Sequence, residues 1–272
     1  MDPGTGLTLL GTAIGGAKLV EKLLGPTADY VGSGLKNWAE KRVKNTSRIF
    51  EKAAEKLGDR INYPGSVPPK VLKEVLNEGS YCDDELAAEY FGGVLASSRS
   101  GITRDDRAAS YLKVVSQLST YQIRFHFISY HIWRSLFVGS GLRPTFDEDL
   151  HKMWIFVPFP SLVRSMDFVA GERAWEILIH CMSGLYQQGL LQESYWGSQE
   201  QVNAINKKRL WPEVLESGIC ICPTQFGFDL WLWAIGAGGA GITQFLDGLL
   251  QLPKLPSVPA LTNVLKLIAA KI

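Results

Sequence analysis

The uncharged stretch near the start of the chain places the strongest constraint on its fold. Gly6–Val20 reads GLTLLGTAIGGAKLV, has no charge before Lys18, and sets Gly11 and Gly15 one helical turn apart. A membrane-spanning helix needs about 20 apolar residues, so this stretch is short unless it extends to Leu24 with Lys18 snorkelling. The pattern predicts either a membrane helix or a buried helix of a bundle or oligomer interface.

A membrane helix would use particular residues of this stretch. Small residues four apart allow two helices to pack closely in lipid. The residues expected at the membrane or the pore are Leu10, Gly11, Ile14, Gly15 and Lys18. Leu230–Leu246, LWLWAIGAGGAGITQFL, is a second charge-free segment, in which two tryptophans suit a membrane interface. Its alternative interpretation is a buried core helix.

Global composition excludes few classes of protein. The chain has 272 residues, a net charge of +1 and four cysteines without metal-ligand spacing. Such cysteines are typical of structural thiols in a reducing compartment. The start of the chain lacks the features of a signal peptide. We therefore expect the cytoplasm or the cytoplasmic face of a membrane.

One segment is markedly basic. Its helical pattern places on one face Phe50, Ala53, Ala54, Leu57 and Ile61. The basic residues lie mostly off that face: Lys36, Lys41, Arg42, Lys44, Arg48, Lys52, Lys56 and Arg60. This cationic surface is either a solvated face or one that rests near anionic lipid headgroups.

The remaining pattern predicts a mainly α-helical protein with a small β element. A long helix is expected over Asp105–Phe137, a short strand in WIFVPFP, and a helix over Glu172–Gln188. SGICICPTQFGFDLWLW then predicts a strand, a tight turn and a second strand or helix. With a second strand, the order of elements would resemble the end of a winged helix. LTNVLKLIAAKI predicts a final amphipathic helix. We place a helical domain at 1–140 and a helical C-terminal domain with a small β-hairpin at 141–272.

Catalytic motifs are missing from the sequence. There is no P-loop, no H-E-x-x-H and no G-x-S-x-G. The acidic groups Asp83–Glu85 and Asp105-Asp106 could serve as paired carboxylates for metal or acid–base chemistry. They lie in predicted first turns of helices, where the helix dipole favours carboxylates, so we interpret them as capping groups. We therefore expect neither an enzyme nor a cofactor or metal.

Two long stretches resemble a known family. They are PTADYVGSGLKNWAEKRVKNTSRIFEKAAEKLGDRINYPGSVPPKVLKEVLNEGSYCDDELAAEYFGGVLASSRS with TRDDRAASYLKVVSQLSTYQIRFHFISYH downstream, and later CPTQFGFDLWLWAIG. In these stretches the chain resembles the bacterial Abi-alpha (abortive infection) family, from about Leu24 to Tyr130 and again over Thr224–Gly236. Residues 141–222 carry little of the resemblance.

The resemblance implies anti-phage defence. In Hailong-type systems a member of this family is a transmembrane effector that pairs with a nucleotidyltransferase making single-stranded DNA oligomers. The bound DNA holds an oligomeric ion channel shut, and its loss arrests growth. By this resemblance we expect residues 1–140 to form a membrane or channel domain and residues 141–272 a sensor domain in the cytoplasm. We also expect a homo-oligomer in the bacterial inner membrane, with membrane lipid as a partner.

Binding of single-stranded DNA requires cations for phosphates and aromatic rings for bases. The first candidate set is Lys207, Lys208, Arg209 and Trp211 beside Tyr195 and Trp196. A second set on the long helix contains Arg124, Tyr130 and Arg134. The alternative, non-functional interpretation of both sets is surface charge with packed aromatic rings.

Two other functions fit the sequence. A soluble DNA-binding regulator would use the winged-helix-like segment, although Glu172–Gln188 has few cations for duplex contacts. A peripheral interaction protein would dock on the bilayer through the basic helix without spanning it.

Overall fold

The computed structural model describes residues 33–100, 104–257 and 261–268, with side chains from residue 40 onward in those ranges. The chain divides into two compact units, Met1–Ser116 and Gln117–Ile272. The residues expected at the membrane or pore, Leu10, Gly11, Ile14, Gly15 and Lys18, lie outside the described residues.

The described part of the first unit is helical. Its helices are α1 (Ser33–Leu57), α2 (Pro69–Asn77), α3 (Glu85–Ser98) and α4 (Ala108–Gln117, which ends at the division). Asp84 caps α3 by accepting a hydrogen bond from the Ala87 amide at 2.8 Å. The predicted capping role of this acidic group is confirmed, because a side-chain oxygen here satisfies an otherwise unpaired amide of the first turn.

Helices α1 and α3 pack closely. A Cβ atom on Gly92 would lie 2.6 Å from Lys52 Cβ and 2.9 Å from the Ile49 carbonyl oxygen, so only glycine permits this approach. Ile49 and Ala53 are buried in the contact, whereas Ile61 lies beyond the helix and is 47% exposed. The predicted apolar face is therefore correct at Ala53 and wrong at Ile61.

The basic side chains of α1 form ion pairs with acidic residues around the start of α3. Lys52 Nζ lies 2.6 Å from Glu85 Oε1 and 2.9 Å from Glu89 Oε1, and Lys56 Nζ lies 2.7 Å from Glu89 Oε2. Lys41 pairs with Asp83. We call Lys52, Lys56, Glu85 and Glu89 the charge ladder. These cations stabilise helix packing, so they are less available to lipid headgroups than the sequence pattern indicated.

The predicted helix over Asp105–Phe137 is two helices. After α4, Ser119 starts helix α5 (Thr120–Phe137) with a capping box, in which Ser119 and Gln122 each bond the other's backbone amide. The structural division falls close to this break, between Ser116 and Gln117, instead of after residue 140. Helix α5 therefore belongs to the second unit.

The second unit combines helices with a small sheet. After α5 come α6 (Asp147–Leu150), β1 (Ile155–Pro158), α7 (Phe159–Met166), α8 (Ala174–Gln187), β2 (Leu191–Gly197), α9 (Gln199–Lys208), β3 (Gly218–Pro223), α10 (Gln225–Ala234) and β4 (Leu265–Lys266). The predictions of a mainly helical protein, of a strand in WIFVPFP and of a helix ending near Gln188 are confirmed.

The sheet has the strand order β2-β3-β1-β4, and all its pairs are antiparallel. Strands β2 and β3 pair with each other, but α9 lies between them in sequence. In SGICICPTQFGFDLWLW the strand β3 passes through Thr224 directly into helix α10, so the predicted strand is confirmed and the helix is the correct second element. The alternative of a second strand, and with it the winged-helix hairpin, is wrong. The predicted final helix is also wrong over Leu265–Lys266, where the chain is the strand β4 on the edge of β1.

The two ends of the segment Leu230–Leu246 lie in the core of the second unit, because residues 230–236 and 245–246 are buried, whereas 237–244 are partly or fully exposed. Helix α10 ends at Ala234, and Trp231 is fully buried between Phe127 and Phe245, with ring centroids at 6.3 and 5.4 Å. Within the ranges that the structure describes, no helix has both the length and the apolar character needed to cross a bilayer. For this segment the core interpretation agrees with the structure, because its rings pack against other rings of the same unit.

Candidate nucleic-acid interface

The first candidate set lies at the end of helix α9. Ser198 begins this helix with a capping box that includes Gln201. Asn206 fixes the other end: its side chain donates to the Pro212 carbonyl at 2.9 Å and accepts from the Tyr195 hydroxyl at 2.9 Å. The Trp211 amide donates to the Asn206 carbonyl at 2.9 Å. The turn that carries the cations is thus held by a fully buried amide side chain.

Arg209 lies against three aromatic rings, which we call the aromatic cage, while 39% of its side chain stays exposed to solvent. Its guanidinium carbon lies 4.8 Å from the ring centroids of Trp154 and Trp211 and 5.9 Å from that of Tyr195. Its Nη2 lies 3.3 Å from Glu193 Oε2. Cation–π contacts of this kind stabilise by about 0.5–2 kcal/mol each. Arg209 therefore secures the turn, and the rings of Trp211 and Tyr195 face this cation and the core.

Lys207 and Lys208 are exposed at the end of the same helix. Neither lysine forms an ion pair with any residue in the described ranges. An ammonium group in water without a carboxylate partner can replace the counterions of a phosphate backbone. These two side chains are the part of the candidate set that is available to a polyanion.

The sheet separates Tyr195 from Trp196, which the sequence placed together. Successive side chains of a strand point to opposite faces, so Tyr195 packs toward α9 while Trp196 packs toward α8. Trp196 lies 6.3 Å from Trp175, which in turn lies 4.9 Å from Phe159, measured between ring centroids. Trp175 is 43% exposed and Trp196 is 38% exposed.

Sequence reasoning did not assign Trp175 and Phe159 to a site. They come from different helices, α7 and α8, and come into contact only in the folded unit, so no spacing along the chain indicates their contact. Tyr195 itself is anchored, because its hydroxyl donates to Asn206 Oδ1 at 2.9 Å. Burial, together with the hydrogen bond with Cys220, raises the pKa of this hydroxyl.

The second candidate set is occupied by contacts within the unit. Arg124 Nε donates to the Ser165 carbonyl at 2.7 Å. Arg134 donates to the carbonyls of Phe245, Asp247 and Leu250. Burial lowers the pKa of Arg134. Both arginines satisfy loop carbonyls, so the structure does not join them to the α9 set.

The described residues contain little that favours catalysis. Burial raises the pKa of Cys82 to about 11 and those of Cys181 and Cys220 to about 12, which disfavours a thiolate nucleophile. Among the residues with described positions, no group of three His, Cys, Asp or Glu side chains is arranged to hold a metal ion.

Comparison with known proteins gives no match: no family model, no curated protein and no solved structure matches this chain. The site must therefore be interpreted from its own geometry and from the sequence resemblance.

Proposed function

We propose that this protein is an effector of anti-phage defence that is held inactive by a single-stranded DNA oligomer. In this proposal the second unit binds the DNA through Lys207 and Lys208. Release of the DNA allows the apolar segment Gly6–Val20 of several subunits to form an ion-conducting pathway in the inner membrane. A nucleotidyltransferase encoded alongside would supply the oligomer, and the second unit would lie in the cytoplasm.

The observation that supports DNA binding most directly is the exposed lysine pair on a rigid turn. Lys207 and Lys208 project from a helix end whose backbone is held by the contacts of Asn206 and Arg209. A turn that is already ordered loses less backbone entropy on binding than a flexible loop. The exposed rings of Trp175 and Trp196 lie on the other face of the sheet and are not needed for this contact.

The test is DNA binding by the full-length protein in detergent. We expect Lys207→Glu/Lys208→Glu to weaken binding of a labelled mixed-sequence single-stranded DNA oligomer by at least about tenfold. Each phosphate contact on single-stranded DNA contributes about 0.7 to the log–log salt slope, so the slope should fall by about 1.4.

The matched control is Lys73→Glu/Lys113→Glu, which makes the same change of charge on exposed lysines of the first unit. Arg209 is left unchanged, because replacing it would disturb the aromatic cage and confuse folding with binding. Equal salt slopes for the two double variants would exclude the α9 site.

The membrane step needs a separate measurement. Loss of DNA binding should make the Lys207→Glu/Lys208→Glu variant toxic in cells and able to permeabilise liposomes. A variant that has lost DNA binding, stays in the supernatant when membranes are sedimented, and leaves liposomes intact would contradict the channel. A soluble DNA-binding regulator would then be the better explanation.

A further inference from the structure

A groove runs between helix α8 and the edge strand β2. The helix contributes Met182, Ser183 and Tyr186, and the strand contributes Gln192, Glu193 and Ser194; the volume is about 490 Å³. Met182 is buried and forms an apolar floor, whereas Tyr186 is 59% exposed. We call this feature the α8–β2 groove.

The strand side of this groove has an open backbone edge. In the sheet order, β2 is terminal and pairs only with β3. Alternate residues of an antiparallel strand direct their N–H and C=O groups away from the partner. Within the described part of the chain, the backbone of 192–197 makes no hydrogen bond outside its ladder with β3. An open edge of this kind can accept another strand.

The charge of the α8–β2 groove indicates whether its ligand is a nucleic acid or a peptide. Its only charged lining residue is Glu193, whose carboxylate is bonded to Arg209. A single-stranded nucleic acid requires cations along its backbone, and the groove provides none. An extended peptide instead requires main-chain partners and an apolar recess for alternate side chains, which β2 and Met182 provide.

From these contacts we infer that the α8–β2 groove binds an extended, uncharged peptide segment of another protein, which adds to the sheet as a strand beside β2. The segment pairs along the length of β2, because both are extended strands that rise about 3.4 Å per residue. One of its apolar side chains lies between Met182 and Tyr186. This interaction is independent of the DNA contact at Lys207 and Lys208.

The experiment is selection from a displayed library of random peptides on the immobilised full-length protein. We expect enriched sequences that are uncharged and alternate apolar with polar residues. The best sequence is then synthesised in two N-methylated forms, each blocking one alternate set of amides. Only one set faces β2, so one form should bind at least about tenfold more weakly while the other binds nearly as well as the parent.

A variant of the protein provides the second measurement. Ser183 is exposed and lines the groove, so Ser183→Trp should obstruct it and weaken peptide binding at least tenfold. Ser135→Trp, the same change at an exposed position of α5 outside the groove, should bind like the wild type.

Four results would overturn the inference. These are failure to enrich any peptide, equal effects of the two methylated forms, unchanged binding by Ser183→Trp, and self-association of the protein through β2 in place of peptide binding. DNA binding by the Ser183→Trp variant is measured alongside. If this variant still binds DNA, a negative result for peptide binding at the groove does not count against the proposed DNA-binding function.

Discussion

Substitution of Glu89 tests how the first unit is held together. Glu89 is the shared carboxylate of the charge ladder, with Lys52 Nζ at 2.9 Å and Lys56 Nζ at 2.7 Å. Its side chain is 14% exposed, and that of Lys56 is only 4% exposed. Glu89→Gln keeps the size of the side chain but leaves a buried ammonium without a counter-charge.

The expected loss follows from this burial. Removing one partner of a buried pair costs about 3–5 kcal/mol. Glutamine still accepts one hydrogen bond, so we expect the lower end, about 3 kcal/mol, in the free energy of unfolding of the first unit. Glu85→Gln is the matched control, because Glu85 also pairs with Lys52 but is 61% exposed. An exposed pair contributes less than about 1 kcal/mol.

The free energy of unfolding of the first unit should also depend on pH through Glu89. Burial by itself would raise the pKa of Glu89, but hydrogen bonds from Lys52 and Lys56 outweigh it and lower the pKa below the ordinary 4.5. The stabilisation is therefore complete above pH 4.5 and is lost as the pH falls toward the lowered value. Glu89→Gln should remove this acid-dependent part.

The assay is amide hydrogen exchange of α3, which reports on the first unit without relying on tryptophan fluorescence. A loss of about 3 kcal/mol corresponds to exchange more than about 100-fold faster, since 1.4 kcal/mol is tenfold. Equal exchange rates in Glu89→Gln and Glu85→Gln would refute the idea that burial gives the ladder its strength.

Two other predictions concern packing and a buried histidine. Gly92→Ala should destabilise the first unit by about 1–3 kcal/mol in urea unfolding, because its Cβ meets the backbone of Ile49; an unchanged midpoint would contradict the close helix approach. Burial lowers the pKa of His126 to about 3 from 6.5, so only the unfolded chain gains a proton as the pH falls below 6.5. The free energy of unfolding of the second unit should fall by about 1.4 kcal/mol between pH 7.5 and pH 5.5 on this account. His126→Gln should lack that part of the fall, and an identical fall in both proteins would contradict it.

The errors of the sequence-based fold have identifiable causes. The pattern over Asp105–Phe137 is continuous in apolar spacing, so only the reciprocal bonds of Ser119 and Gln122 reveal the break. The end of the chain has helical periodicity, but over Leu265–Lys266 pairing with β1 overrides that local preference. The sequence predicts an open cationic surface on the basic helix because its acidic partners, Glu85 and Glu89, lie far along the sequence.

The mainly helical character, the strand at Ile155–Pro158 and the capping role of Asp84 could be predicted from the sequence. These features depend on residue type and on spacing within one or two turns. Other features could be found only from the folded chain: that Arg209 lies against Trp154, that Tyr195 and Trp196 lie on opposite faces, and that β2 has an open edge beside α8. Those features depend on which distant segments meet, and contacts over long separations leave no periodic trace along a single chain.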